Sequence, residues 1–115
     1  MPNYQPLYQP LDRVYYALAD ATRRAVLERL TDGPASVSDL AAAFAMALPS
    51  FTQHLDVLEG CDLVFSEKVG RVRTYHLKPD TLFEAERWLV EQHAFWEARL
   101  NRLDRYLLTM KGNKI

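Results

Sequence analysis

Residues 36–59 read SVSDLAAAFAMALPSFTQHLDVLE, and the punctuation within this stretch decides the fold. Ser36 is a side-chain acceptor placed to cap a helix, with Asp39 three residues on as a weak variant of the capping box. Val37, Leu40, Ala41 and Phe44 then recur at helical spacing, which predicts a short helix over 37–44. Ala45-Met46-Ala47 makes a brief turn. Pro49 suits the first turn of a second helix, where its missing N–H is not needed, and that helix runs to about Glu59. Phe51, Leu55 and Leu58 share its apolar face, which leaves Ser50, Thr52, Gln53, His54 and Asp56 facing outward or sideways. Two short helices joined by a tight turn are a helix-turn-helix, here spanning 36–59.

Directly after it the pattern changes to a hairpin over 63–78. Leu63 to Lys68 forms one strand-like segment, Val69-Gly70 a turn, and Arg71 to Leu77 a return that alternates apolar or aromatic with polar residues. Residues 66–78 hold Lys68, Arg71, Arg73 and Lys78 against a single Glu67. Arg71 and Arg73 flank Val72, so the alternation places both on one face of the strand. A helix-turn-helix joined at once to a basic hairpin is a winged helix-turn-helix, mostly α with a small β-hairpin. In such a fold the second helix carries polar groups into the major groove, and the wing offers cations to phosphates.

A basic hairpin alone is most simply a solvated strand pair; the motif upstream makes double-stranded DNA the implied partner. Ser50, Thr52, Gln53 and His54 are the candidates on the second helix, and Lys68, Arg71 and Arg73 those on the wing, with Arg23 from the preceding helix. Gln53 has the donor and acceptor needed to pair with adenine. The competing reading is a winged-helix protein–protein module without DNA binding, whose marks would be a neutral or acidic wing and an apolar second helix.

Working outward, Pro2, Pro6 and Pro10 make residues 1–10 a poor helix, and Tyr4, Leu7 and Tyr8 among them suggest a docked arm. From Leu11 a short helix runs to near Asp20, whose carboxylate caps the next one. There Ala25, Val26, Leu27 and Leu30 form the apolar face, Arg23, Arg24, Glu28 and Arg29 lie largely outside it, and Gly33-Pro34 ends it. At the other end Pro79 opens a helix over 79–110. Its seam, Leu82, Ala85, Leu89, His93, Trp96, Leu100, Leu103 and Leu107, advances in steps of three and four, the spacing of a helix packed on a partner helix. With Trp88, Phe95 and Tyr106 beside it, this is more apolar surface than so small a domain buries alone. A homodimer is the simplest answer, with Tyr4 and Leu7 of the arm and Leu89, Trp96, Leu100, Leu103 and Leu107 at its interface.

Composition sets the outer bounds. The chain has 115 residues, 49% apolar and 25% charged, which suits one domain of ordinary soluble type. No apolar run approaches the roughly 18 residues of a membrane span, and the first ten residues lack the basic and apolar regions of a signal peptide. The one cysteine, Cys61, fits a reducing cytoplasm and reads as a small half-buried apolar residue before it reads as a redox switch. There is no phosphate loop, nucleophile motif or convincing carboxylate pair, so an enzyme is not indicated, nor is any cofactor.

These residues resemble the ArsR-type repressors. Leu18-Ala19-Asp20-Ala21-Thr22-Arg23-Arg24 with Val26-Leu27 is similar to the opening of that family. Val37-Ser38-Asp39-Leu40-Ala41, then Ser50-Phe51-Thr52-Gln53-His54-Leu55 and Val57-Leu58, resembles its core, and Leu63-Val64 with Gly70 to Tyr75 its wing. The likeness covers about residues 11–108. It implies a homodimer formed by the first and last helices, repressing an operator until some signal, such as a small-molecule effector, releases it. Metal-sensing relatives carry Cys-Val-Cys where this chain has Ser36-Val37-Ser38, and hydroxyls are poor ligands for the soft metals that thiolates hold. The family's other site, on the terminal helix, is matched here only by Glu84, Glu86 and Glu97, with His93 nearby. No metal is therefore expected; a metal- or redox-responsive sensor would need a site of another kind. His93 on the seam reads as an interface histidine, with pH sensing as the alternative. Asp62, within Gly60-Cys61-Asp62, stands where glycine is usual after the second helix, and aspartate tolerates the left-handed backbone such a turn needs.

Overall fold

The computed structural model describes residues 10–112. Its elements are α1 (Pro10–Leu18), α2 (Ala21–Leu30), β1 (Ala35–Ser36), α3 (Val37–Ala41), α4 (Leu48–Gly60), β2 (Val64–Val69), β3 (Val72–Leu77) and α5 (Pro79–Gly112). The proposed arm, with Tyr4 and Leu7, lies outside the described residues. The chain divides into two units, one up to Ala85 and one from Glu86 onward.

Local chemistry starts each helix where the sequence predicts. Asp20, in extended backbone, accepts from the Arg23 N–H at 3.0 Å and so starts α2. Ser36 does the same for α3 through the Asp39 N–H at 3.1 Å. Helix α4 starts without a side-chain cap, on a Leu48-Pro49 first turn. Asp62 adopts φ 62°, the left-handed conformation expected of it, and reverses the chain from α4 into β2.

The core of the first unit forms where the apolar faces of these helices converge. Val14 and Ala17 of α1, Val26 and Leu30 of α2, and Leu40 of α3 meet Phe51, Leu55 and Leu58 of α4, all buried. The sheet closes one side with Val64 of β2 and Tyr75 of β3, and Ala85 at the start of α5 completes it. Tyr15 Oη donates to the Ala85 carbonyl at 2.6 Å, fastening α1 to that first part of α5.

Three details differ from the sequence reading. Helix α3 ends at Ala41 rather than Phe44, so the connection to α4 has six residues, Ala42 to Ala47. Ala35 and Ser36 add a third strand: the antiparallel order is β1-β3-β2, with Ala35 opposite Tyr75 and Ser36 opposite Thr74. The hairpin turn sits one residue later than Val69-Gly70. Val69 pairs with Val72, which leaves Gly70-Arg71 as a two-residue loop. Gly70 has φ 62° there, the conformation a glycine at the first central position of a tight hairpin supplies.

From Glu86 to Gly112 α5 is helical and every residue is exposed in the single chain. Leu89, Trp96, Leu100, Leu103 and Leu107 are each 50–56% exposed. The imidazole of His93 lies 3.4 Å from Glu97 one turn on. Among the described residues no helix is long and apolar enough to cross a membrane.

Candidate nucleic-acid interface

Burial of Phe51, Leu55 and Leu58 fixes which side of α4 faces out. Phe44, in the connection before α4, stacks on Phe51 with ring centroids 5.2 Å apart, so the turn is packed against the helix it introduces. On the opposite side Ser50 and Gln53, three residues apart, are both exposed. Thr52 is half-buried, and its hydroxyl donates to the Pro49 carbonyl at 3.0 Å. Its donor is thereby used locally, leaving a lone pair and the methyl group. Leu48, in the first turn, is 55% exposed, an apolar feature of this surface that sequence periodicity does not single out.

The wing presents Lys68, Arg71 and Arg73, all exposed. Arg71 belongs to the turn, so the expectation that it shares a strand face with Arg73 is corrected; the later turn takes it out of the alternation. Arg73 donates from one terminal nitrogen to Ser66 Oγ at 2.8 Å. That hydroxyl in turn donates to Glu59 Oε2 at 2.8 Å, and the same oxygen accepts from the Ser66 N–H at 3.0 Å. The last turn of α4 is thus bonded to the first wing strand, and a wing cation is oriented by the same hydroxyl. Lys78 is drawn back to Asp62 at 3.5 Å. On the other side of the strands His76 stacks on Phe65 at 4.7 Å. Nothing local in the sequence marks the Glu59–Ser66–Arg73 chain, because each link spans seven residues between different elements.

Arg23 is a second correction. It lies inside the fold, 8% exposed, rather than on the outside of α2. Its Nε donates to the Ala17 carbonyl at 2.8 Å and one terminal nitrogen to the Tyr16 carbonyl at 3.0 Å, while the guanidinium stacks 5.1 Å over the Tyr16 ring. Arg24 donates to the Leu18 carbonyl at 2.8 Å. Two consecutive arginines therefore bond the last three carbonyls of α1, of which that of Tyr16 also accepts from the Ala19 N–H at 3.2 Å, and put positive charge at the negative end of its dipole. The remaining nitrogen of Arg23 meets His54 Nδ1 of α4 at 3.1 Å. Asp20 Oδ2 stands 3.8 Å from that same ring nitrogen. The Asp20 carboxyl is held below its ordinary 3.8, first by the Arg23 backbone N–H and then, against the opposing effect of burial, by neighbouring positive charge: that of His54 whenever its ring is protonated, and that of the Arg23 guanidinium.

The metal-site positions of the family fit a metal poorly here. The Ser36 hydroxyl is engaged as the cap of α3, and among the described residues no three His, Cys, Asp or Glu side chains gather to hold an ion. Cys61 donates its thiol to the Leu58 carbonyl at 3.4 Å, and burial pushes its pKa up, away from the reactive thiolate.

Comparison with known proteins agrees with this geometry. A family model described as a helix-turn-helix domain matches residues 18–64. The HTH-type transcriptional regulator Rv2034 of Mycobacterium tuberculosis is 44% identical over 75 residues, 65% of this chain and 70% of that protein. The transcriptional repressor SdpR of Bacillus subtilis is 28% identical over 80 residues, 70% of this chain and 89% of that one. The crystal structure of the ArsR family transcriptional regulator RHA00566 superposes with a TM-score of 0.75 at 48% identity, covering 77% of this chain and 98% of the other. These relatives are regulators and not enzymes. With the winged helix-turn-helix in place and likeness of this extent, the chain belongs to the ArsR family of transcriptional regulators.

Proposed function

We propose that the protein binds an inverted-repeat DNA operator as a homodimer and represses transcription from it. The observation that carries this is exposure on two joined elements: Ser50 and Gln53 are exposed on α4, and Lys68, Arg71 and Arg73 are exposed on the hairpin bonded to its end. Gln53 offers an amide to an adenine edge, and the wing cations meet phosphates on either side of the groove. Ser50, Thr52 and His54 complete the helix surface, Thr52 through its methyl and free lone pair.

A net charge of −1 argues against indiscriminate adhesion to nucleic acid and for a local basic surface. The exposed seam of α5 supports the dimer, and likeness to a transcriptional repressor supports the direction of control. Two-fold symmetry then sets half-sites about 34 Å apart, one turn of DNA. A signal other than metal, such as a small-molecule effector, releases the operator, since the Ser36 hydroxyl is used as a helix cap.

The test is selection of random duplexes on the purified full chain. The expected product is an inverted repeat bound equally with and without zinc. Recovery of no common motif refutes the DNA reading, and zinc-induced release refutes the metal-independent one.

A further inference from the structure

We infer that Arg23 fixes the tautomer of His54, so that α4 presents the imidazole Nε2–H as a hydrogen-bond donor to an acceptor atom of the operator. This rests on the DNA reading above and adds to it a positioning residue that touches no DNA.

A guanidinium carries only donors, so when its terminal nitrogen stands 3.1 Å from His54 Nδ1, that ring nitrogen must accept. A neutral imidazole that accepts at Nδ1 carries its proton on Nε2. The other group near Nδ1, Asp20 Oδ2, is 3.8 Å away, too far to claim an N–H for itself. Its lone pairs are instead directed to the Arg23 backbone N–H at 3.0 Å.

Arg23 is unable to turn away. Its Nε and other terminal nitrogen are bonded to the Ala17 and Tyr16 carbonyls, its plane lies over the Tyr16 ring, and the residue is 8% exposed. The third nitrogen is therefore aimed at α4 by the end of α1. On the far side of the ring Nε2 has no bonded partner among the described residues. Both contacts of His54 are at Nδ1, and among the described residues no buried side-chain nitrogen or oxygen lacks a hydrogen-bond partner. Nε2, which has none, must reach solvent, consistent with a side chain 24% exposed. The result is a fixed N–H one residue beyond Gln53. Its natural acceptor on a duplex is a phosphate oxygen or a base-edge oxygen or nitrogen.

Two measurements test this on the full chain. Nitrogen-15 NMR of the imidazole, above the ordinary His range near 6.5, is expected to show His54 as one tautomer protonated at Nε2. Arg23→Met should bring back the minor form that an unconstrained ring populates. A protonated Nδ1, or a mixture in the wild type, overturns the inference. The second measurement is affinity for the selected operator. Gln places an N–H near Nε2 of the ring it replaces, whereas Asn reaches only as far as Nδ1. His54→Gln should stay within a few-fold of wild type, and His54→Asn and His54→Phe should bind about tenfold more weakly, the scale of one hydrogen bond.

Arg23→Met should also weaken binding, and adding it to His54→Phe should cost nothing further, because the arginine acts through the ring. Additive losses, or equal affinity of the Gln and Asn variants, overturn the proposal. His54→Gln and His54→Asn keep the test open should Arg23→Met fail to fold. Equal loss on operator and random duplexes assigns the acceptor to phosphate; loss on operator alone assigns it to a base edge. A wild-type chain that selects no duplex overturns the operator half together with the function proposed above, while the NMR result still decides the tautomer.

Discussion

Replacing Leu100 and Leu103 together by glutamate should convert a dimer into monomers at any practical concentration. At 100° per residue, Leu89, Trp96, Leu100, Leu103 and Leu107 fall within an arc of about 60°, a continuous stripe along α5. Each is 50–56% exposed in the single chain, so roughly half of its surface remains to be buried. Fully burying a large aliphatic side chain is worth about 1.5–3 kcal/mol, which makes the remaining half about 1 kcal/mol. The double substitution removes two leucines from each copy, about 4 kcal/mol for the pair of chains. Four carboxylates facing an apolar seam add at least ~0.5 kcal/mol each even where water partly compensates. The total, about 6 kcal/mol, weakens the dimer by about 10⁴-fold. Sedimentation equilibrium at micromolar concentration reads this directly, and operator affinity should fall with it because the two half-sites are no longer linked. Ala94→Glu with Ala98→Glu adds the same charge on the opposite side of the helix and should leave a dimer. A monomeric wild type, or equal behaviour of the two double variants, refutes the assignment of this stripe.

Three further outcomes concern the site and its support. Arg71→Ala with Arg73→Ala should weaken binding to every duplex and lower the salt slope by up to about two for each half-site, since each phosphate contact releases roughly 0.9 counterion; a titration against salt reads both. Gln53→Ala should relax preference at one position of each half-site in a repeated selection, and an unchanged motif would remove Gln53 from base reading. Asp20→Ala should cost about 1 kcal/mol in thermal or denaturant unfolding at neutral pH, as loss of a helix cap does. Because the Asp20 carboxyl is depressed below 3.8, its contribution is full above that value and is lost as pH falls through the folded-state pKa, so the two proteins should converge in acid.

The elements legible in the sequence are those whose causes are local. Asp20 and Ser36 cap helices through N–H groups three residues away, and Phe51, Leu55 and Leu58 state the buried side of α4 by spacing alone. Asp62 takes its left-handed backbone from its place after a helix. The features that escape such reading depend on chain segments far apart. Strand β1 is two residues long and exists because β3 returns beside it, with Tyr75 opposite Ala35. Spacing puts Arg23 outside because a charged residue next to an apolar face is normally solvated. It turns inward because the end of α1 supplies two carbonyls and a ring, and no pattern within α2 announces that. The hairpin shows how little separates a right element from a wrong detail. Val69-Gly70 and Gly70-Arg71 are one residue apart, yet only the second takes Arg71 off the strand and onto the tip.

The bonds that sequence spacing does not show are also those that make one body of the proposed reading surface. Helix α4 is held near its start by Phe44 against Phe51, at its middle by Arg23 against His54, and at its end by Glu59 against Ser66. Each attachment comes from a different neighbour: the turn before it, the α1–α2 corner and the wing. A recognition helix must keep its side chains in register with base edges, where a hydrogen bond weakens steeply once its angle is lost. Three attachments along thirteen residues restrict tilt as well as rotation, which a single apolar face leaves free. The wing gains from the same arrangement. Arg73 is oriented by the hydroxyl that joins β2 to α4, so helix and cations are referenced to one oxygen network. Ordering these groups in the free protein lowers the entropy that DNA binding must otherwise remove, and a chain of net charge −1 has little long-range attraction to offset a loosely held site.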